Sequence, residues 1–554
     1  MHHQPNCNGE VRLASAESKT CGMCGHFLYG NRETRQAPTP KAKGRRVVSV
    51  KERTRRIDAE ANRESDGVVV PEKSPNKEAP ALAEEMEGRT SAKRNAGEEA
   101  TNRIQSRNTV SFGLEGVRRR AKTDKTCCFT ALLHHITPEL LRQSFYELNR
   151  KAAPGIDSVT WHDYEKQLEE RLPNLHTEIH KGSYRAKPVL RTYIPKANGQ
   201  KRPLGITAIE DKLVQQAVVN VLTPIYETEF YGFSYGYRPG RSQHGALDAL
   251  ATAILTKRIS WILDADLQGF FDSIPHERLL EFIRKRVGDK RILRLISRWL
   301  KTGYSEDGRP YRQTVGTPQG SVISPLLANI YLHYALDEWV ENERRTRPNG
   351  EVIIVRFADD LVLGFQYKEE AERYFTALKE QLSGFGLTLH PEKTRLKEFG
   401  RYAAERRKKR GEGKPEGFDF LGFTHLCSKN RKGGYFLKRK TISKRLRQTI
   451  REIKEALRIR MHAPIIQTGN WLKSVVQGYG QYFGVPGNIK ALKSFRDLVA
   501  KAWYRSLRRR SQKGTAMNWQ RFTPIVDAYL PRLRICHDFP EVRFAITRGR
   551  SRMR

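Results

Sequence analysis

Beyond about residue 125 the apolar positions fall into two periods, one of helices and one of strands. Helical spacing runs on both sides of Pro154-Gly155, with the second run from Trp161 to Leu172. Alternation through Val189, Arg191 and Tyr193, then Asn198-Gly199, then Arg202-Pro203-Leu204, predicts a basic hairpin. Ile209 to Tyr226 carries Leu213, Ala217, Val221 and Leu222 on one helical face. Trp261 to Leu267 predicts a buried strand with Asp264 and Asp266 on the same face, since strand side chains alternate. Ser324-Pro325 opens a helix through Leu326, Ile330, Ala335 and Trp339. Two apolar runs, Glu351–Arg356 and Leu361–Phe365, flank Phe357-Ala358-Asp359-Asp360 and predict a second hairpin. A helix from Lys368 to Phe385 follows, then short strands in LTLHPEKTRLKEFG and FDFLGFTH. The last part is helical and basic: Ile442, Leu446, Ile450, Ile453 and Leu457 share a stripe surrounded by Lys and Arg.

The first 125 residues lack either period. They are rich in Lys, Arg, Glu and Ser, a composition that predicts disorder. Cys21 and Cys24, with His26, have the spacing of half a zinc knuckle, but no second cysteine pair stands at a matching distance, so solvated thiols are expected.

Charge changes the picture. The 554 residues carry a formal net charge of +40, which suits a polyanionic partner, nucleic acid first. No apolar run approaches the ~20 residues of a membrane-spanning helix, and the first residues lack the apolar core of a signal peptide. Seven scattered cysteines form no disulfide framework. These features predict a cytoplasmic protein without a membrane partner. In the C-terminal helices the candidate RNA contacts are Arg445, Arg447, Arg451, Arg505 and Arg508, with Tyr479, Tyr482, Phe483 and Trp503 interleaved.

Carboxylates on apolar strands are costly unless paired or bound to a cation. Asp266 and Asp359, on neighbouring strands, are the oxygen donors that a hard divalent cation takes, with the Leu267 carbonyl as a further ligand and Asp360 as an outer one. Two such cations about 4 Å apart serve nucleotidyl transfer. Near them in sequence stand Lys and Arg beside a glycine turn, and a Gly-rich loop carrying Gly316, Gln319 and Gly320.

From Phe129 onward the chain resembles the group II intron reverse transcriptases, or maturases. The motifs are IPKANGQKRPLGI, SYGYRPGRSQHGAL, DLQGFFD from Asp266, TPQGSVISPLLANIYL from Thr317, FADD from Phe357, LHPEKT and FDFLGFTH, in the family's order. The usual box is Tyr-Ala-Asp-Asp, and Phe357 departs from it by one hydroxyl. The resemblance implies an α+β right-hand polymerase: fingers and a palm with an antiparallel sheet, followed by a helical thumb. By residue, 1–125 would be the disordered basic extension, 126–255 fingers, 256–430 palm, 440–515 the maturase domain X, and 516–554 a basic tail that is a candidate DNA contact. It further implies RNA-directed DNA polymerase activity with two Mg²⁺ ions held by Asp266, Leu267, Asp359 and Asp360. Lys196 and Arg202 would contact the triphosphate, Phe271 would lie under the sugar, and Gln319 and Gly320 would line the nucleotide pocket. Lys393 would donate a proton to pyrophosphate, and residues 418–425 would grip the primer end. The implied partners are group II intron RNA, an RNA template, a DNA primer or target and deoxynucleoside triphosphates, with no obligate protein partner, in the bacterial cytoplasm. After about residue 515 no paired-Cys, His-Asn-His-type nuclease module is recognisable, so mobility would need a primer from elsewhere. The alternatives are a reverse transcriptase without a splicing role, of retron, diversity-generating or defence type, and a non-catalytic RNA-binding splicing factor.

Overall fold

The structure, a computed structural model, describes residues 113–195, 201–312, 314–346, 349–430, 432–512 and 516–545. Cys21, Cys24, His26 and Lys196 lie outside them, as do the side chain of Arg202 and most of the stretch expected to be disordered. Order begins earlier than the composition predicts. Residues 113–123 form a helix, and Val117 and Ala121 are buried in the core. Two apolar residues four apart make a stripe too short to stand out in so charged a sequence.

Eleven strands among the described residues form three sheets. The central one contains β3 (Trp261–Asp266), β6 (Val352–Phe357), β7 (Asp360–Phe365) and β8 (Arg395–Glu398) in the order β6-β7-β3-β8, with every neighbour antiparallel. β6 and β7 are buried almost end to end, which explains their unbroken apolar runs: both faces are covered. Leu263, Ala265, Ile354, Leu361 and Leu363 face one core, shared with Tyr374, Leu378 and Leu382 of the helix Lys368–Gly384. Ile262, Ile353, Val355 and Val362 face another, shared with Ala246 and Leu250 of the helix Gln243–Thr256 and with the C-terminal helices. Each such fully buried aliphatic side chain contributes about 1.5–3 kcal/mol. The alternation that sorts these residues also puts Asp264, Asp266 and Asp360 on the second face, the last two at strand ends.

β1 (Val189–Pro195) and β2 (Lys201–Ile206) form the expected basic hairpin. Its sheet runs β2-β1-β4-β5, adding β4 (Tyr304–Glu306) parallel to β1 and then β5 (Arg309–Tyr311). Residues 304–311 therefore pair with the hairpin of residues 189–206, across the boundary expected at 255/256. A parallel partner more than a hundred residues away leaves no local trace in the sequence.

The third sheet, β11-β10-β9, comprises β9 (Phe418–Phe420), β10 (Phe423–Lys429) and β11 (Tyr435–Thr441). Leu421 (φ +45°) and Gly422 (φ +83°) make the two-residue turn between β9 and β10, with both residues in the left-handed region as a type I′ turn requires. The helices Ser443–Ile459, Ile465–Phe483 and Ile489–Arg508 follow. Where a basic tail was expected, Trp519–Tyr529 is a further helix, with Phe522 and Val526 in the same core.

Candidate active site

Asp266 ends β3 and Asp360 begins β7, and the two are directly opposite in the antiparallel ladder. Opposed residues bring their Cβ atoms to about 5 Å, so two carboxylates there repel unless a cation joins them. Phe357 pairs with Asp360, which leaves Ala358 and Asp359 as a two-residue turn. Of the two only Ala358 has a positive φ, +56°, the pattern of a type II′ turn, whose first position ordinarily takes glycine. The hairpin expected around Asp359 and Asp360 is thus present, with Asp359 at its tip, half-buried, and Asp360 exposed.

Lys393 comes from the segment ahead of β8, and its Nζ lies 2.6 Å from Asp266 Oδ2. Its ammonium sits where positive charge is wanted. Asp264, further along the same face, is 3.7 Å from Lys397 Nζ; burial pushes its carboxyl up to about 6 against that attraction. Leu267 bridges to Leu389 through flanking bonds only: Gln268 N–H donates to the Thr388 carbonyl and His390 N–H to the Asp266 carbonyl. In such a wide pair the amide and carbonyl of the central residue point away from the partner strand. The Leu267 carbonyl therefore points away from the Leu389 segment.

Among the described residues no three His, Cys, Asp or Glu side chains already converge as a preformed cation site. The donor set nonetheless fits a hard divalent cation: two opposed carboxylates, a third in the adjoining turn and a main-chain carbonyl, all oxygen.

After β3 the chain makes a single helical turn, Phe270–Ser273. Phe271 is buried, and its carbonyl accepts from Thr317 N–H at 2.7 Å. Gly316 (φ +87°) passes so close that an added Cβ would lie 2.8 Å from the Phe271 oxygen. The Gln319 carbonyl accepts from Gly205 N–H of β2 at 2.6 Å. The loop from Gly316 to Gly320 is thus stitched between the turn after Asp266 and the basic hairpin. Between them lies a small cleft lined by Arg191, Pro203, Gly205, Asp272, Thr317 and Gln319. Thr317 Oγ1 in its wall is buried without a hydrogen-bond partner, a polar group that a ligand could satisfy. Arg202 occupies a β2 position opposite Ile194, and Gly320 is exposed at the end of the loop.

Arg445, Arg447 and Arg451 are exposed along the helix Ser443–Ile459, and Arg505 and Arg508 along Ile489–Arg508, which packs beside it. The aromatics expected between them behave otherwise. Tyr479, Phe483 and Trp503 are core residues, and Tyr479 stacks on Phe495 with ring centroids 3.5 Å apart. Half-buried Tyr482 donates its hydroxyl to the Leu421 carbonyl at 2.8 Å, bracing the β9–β10 turn. Helical spacing shows that aromatics share a stripe; it does not show which way the stripe faces.

The sequence pattern missed Arg356, Asp337, Asn329 and Ser234, which form one buried cluster behind the carboxylate turn. A signal existed, because an arginine inside an apolar strand must be paired.

Residues 194–425 match the family model described as reverse transcriptase (RNA-dependent DNA polymerase). The chain is 32% identical over 350 residues to the protein YkfC of Escherichia coli K12, covering 56% of this chain and 87% of that one. It is 35% identical over 229 residues to the group II intron-encoded protein LtrA of Lactococcus lactis subsp. cremoris, covering 41% of this chain and 38% of LtrA. To a 91 kDa protein in the cob intron of Schizosaccharomyces pombe it is 46% identical over 155 residues, 28% of this chain and 19% of that protein. The matched stretches thus span less than two-fifths of the last two relatives.

Proposed function

The chain belongs to the group II intron-encoded reverse transcriptases, and we propose that it copies RNA into DNA while binding its host intron RNA to promote splicing and mobility. One observation carries the chemistry: Asp266 and Asp360 face each other across two strands, with Asp359 at the adjoining tip. Like charges so placed call for divalent cations, as the family uses, and we assign two Mg²⁺ ions to Asp266, Asp359, Asp360 and the Leu267 carbonyl. When bound, such a pair activates an attacking 3′-hydroxyl and offsets the charge of the triphosphate.

The chain's own residues do the rest. Asp359 and Asp266 are the indispensable pair, with exposed Asp360 the outer ligand. Lys393, 61% exposed beside Asp266, would give its proton to departing pyrophosphate. Lys196 and Arg202 of the basic hairpin hold the triphosphate. Phe271, fixed through its own carbonyl by the Thr317 amide, lies under the sugar and excludes a 2′-hydroxyl. Gln319 and Gly320 line the pocket for the base and sugar. Phe357 keeps the ring of the usual tyrosine and is compatible with activity.

In this reading the β2-β1-β4-β5 sheet with its helices forms the fingers, the central sheet the palm, and residues 440–515 the thumb or maturase domain X. There Arg445, Arg447, Arg451, Arg505 and Arg508 meet intron RNA, and residues 418–425 grip the primer. The enzyme acts in the bacterial cytoplasm on an RNA template and a DNA primer or target with deoxynucleoside triphosphates, and needs no obligate protein partner. No helix among the described residues is long and apolar enough to cross a membrane. Mobility proceeds by target-primed reverse transcription. The purified protein should extend a DNA primer on an RNA template when Mg²⁺ is supplied and stop when it is chelated. Absence of any extension with Mg²⁺ or Mn²⁺ would leave RNA binding as the protein's function.

A further inference from the structure

Arg356 lies inside β6, one residue before the Phe357 that closes the carboxylate turn, and it is wholly buried. Its guanidinium is fully engaged. Nε and Nη2 donate to the two oxygens of Asp337 at 2.7 and 2.5 Å. Nη2 also reaches Ser234 Oγ at 2.8 Å, and Nη1 reaches Asn329 Oδ1 at 3.1 Å. Nη1 makes one more bond, 3.0 Å to the carbonyl of Ala358. That carbonyl belongs to the peptide unit whose nitrogen is Asp359's own.

A second element closes on the same residue, Ala358, from its amide side. Residues 233–236 run alongside β6: Arg356 N–H donates to the Phe233 carbonyl, and Tyr235 N–H to the Arg356 carbonyl, each at 2.9 Å. Gly236 then touches the turn so closely that an added Cβ would lie 2.3 Å from Ala358 N. Asn329 ties the two jaws together, accepting from Arg356 and donating Nδ2–H to the Gly236 carbonyl at 2.7 Å. Asp337 is delivered from the π-helical segment His333–Asp337, a widened turn in an otherwise α-helical run, and such turns are frequent at functional sites.

The turn that receives this support is strained. Ala358 holds a positive φ at a position that glycine would occupy at lower cost, and such a residue persists only where its surroundings over-determine it. A buried ion pair serving stability alone has no need to hold a carbonyl at the base of an acidic tip. We propose that Arg356, oriented by Asp337 and Asn329, is a positioning residue: it holds the carbonyl of Ala358 while Gly236 closes on the amide side of the same residue, and this clamp on Ala358 sets the affinity of the adjoining Asp359 carboxylate for divalent cation. The clamp rests on the metal-dependent polymerase function proposed above.

Mn²⁺ binding to the full-length protein, followed by electron paramagnetic resonance without nucleotide or primer, tests this apart from turnover. Gly236→Ala leaves the ion pair intact and pushes the turn. The double variant Arg356→Met/Asp337→Leu removes the clamp without stranding a buried charge. Both should bind Mn²⁺ at least about tenfold more weakly than wild type, the scale of loss when groups that orient metal ligands are removed. Their retention of RNA at fixed salt should stay within twofold of wild type. Asp359→Asn, the reference, should lose the same Mn²⁺ signal. Wild-type Mn²⁺ affinity in folded Gly236→Ala overturns the clamp, and this variant decides the matter even if the double variant does not fold. If wild type itself binds no Mn²⁺, the metal-dependent reading fails, and the clamp with it.

Discussion

Asp289 shows how much a single carboxylate can tie together. It is buried ahead of the helix Lys290–Lys301 and accepts from the amides of Leu132, Leu133 and Arg291 and from the Arg291 guanidinium. Burial works against its charge, but these hydrogen bonds prevail and hold its carboxyl down at about 2. A folded-state value below the ordinary 3.8 stabilises the fold above about pH 4, and that stability is lost as pH falls through about 2. The shift corresponds to about 2 kcal/mol. Asp289→Asn should therefore lower unfolding stability by about that amount at pH 7 in urea titrations, with the gap closing below pH 4. An equal loss at pH 7 and pH 3 would mean that the charge is not what matters. At this scale the sequence was most legible where a charge interrupts an apolar strand, as at Asp266 and the Asp359-Asp360 pair. Arg356 obeys the same logic and was overlooked because its partners, Asp337 and Asn329, lie in another element. Sequence spacing cannot show a contact made only by tertiary packing.

At the scale of elements, both hairpins, the helix Ile209–Tyr226 and the helix beginning at Lys368 followed from periodicity and turn chemistry. The parallel pairing of β4 with β1 and the π-helical segment did not, because neither has a local pattern. The C-terminal helices were legible as amphipathic, yet the use of their aromatics was not. Packing puts Tyr479 and Trp503 inside and leaves Arg445, Arg447 and Arg451 outside. These two sets should separate on mutation. Changing the three arginines together to Ala should leave the fold intact and lower the log–log salt slope of RNA binding by about 2 to 3, since each phosphate left without its arginine takes ~0.7–0.9 off the slope. Tyr479→Ala should instead cost stability, about 3 kcal/mol or more, as a large core truncation does. An unchanged salt slope in the triple variant, measured by filter binding from low to high salt, would move the RNA-binding surface to another face.

For the whole molecule, the central sheet lies between two cores, one built with the helices on either side of the first hairpin and one with the C-terminal helices. Its acidic end stands out against a chain with a formal charge of +40, a balance that suits a polyanionic partner. In the proposed function, chemistry and RNA capture fall to separate places: carboxylates at the strand ends of one sheet, and arginines on helices that follow it. The division can be measured in one preparation. Asp359→Ala/Asp360→Ala protein should make no cDNA on an RNA template yet promote splicing of the host intron at nearly the wild-type rate. Parallel loss of splicing and cDNA synthesis in that variant, with the fold and RNA affinity unchanged, would contradict the account.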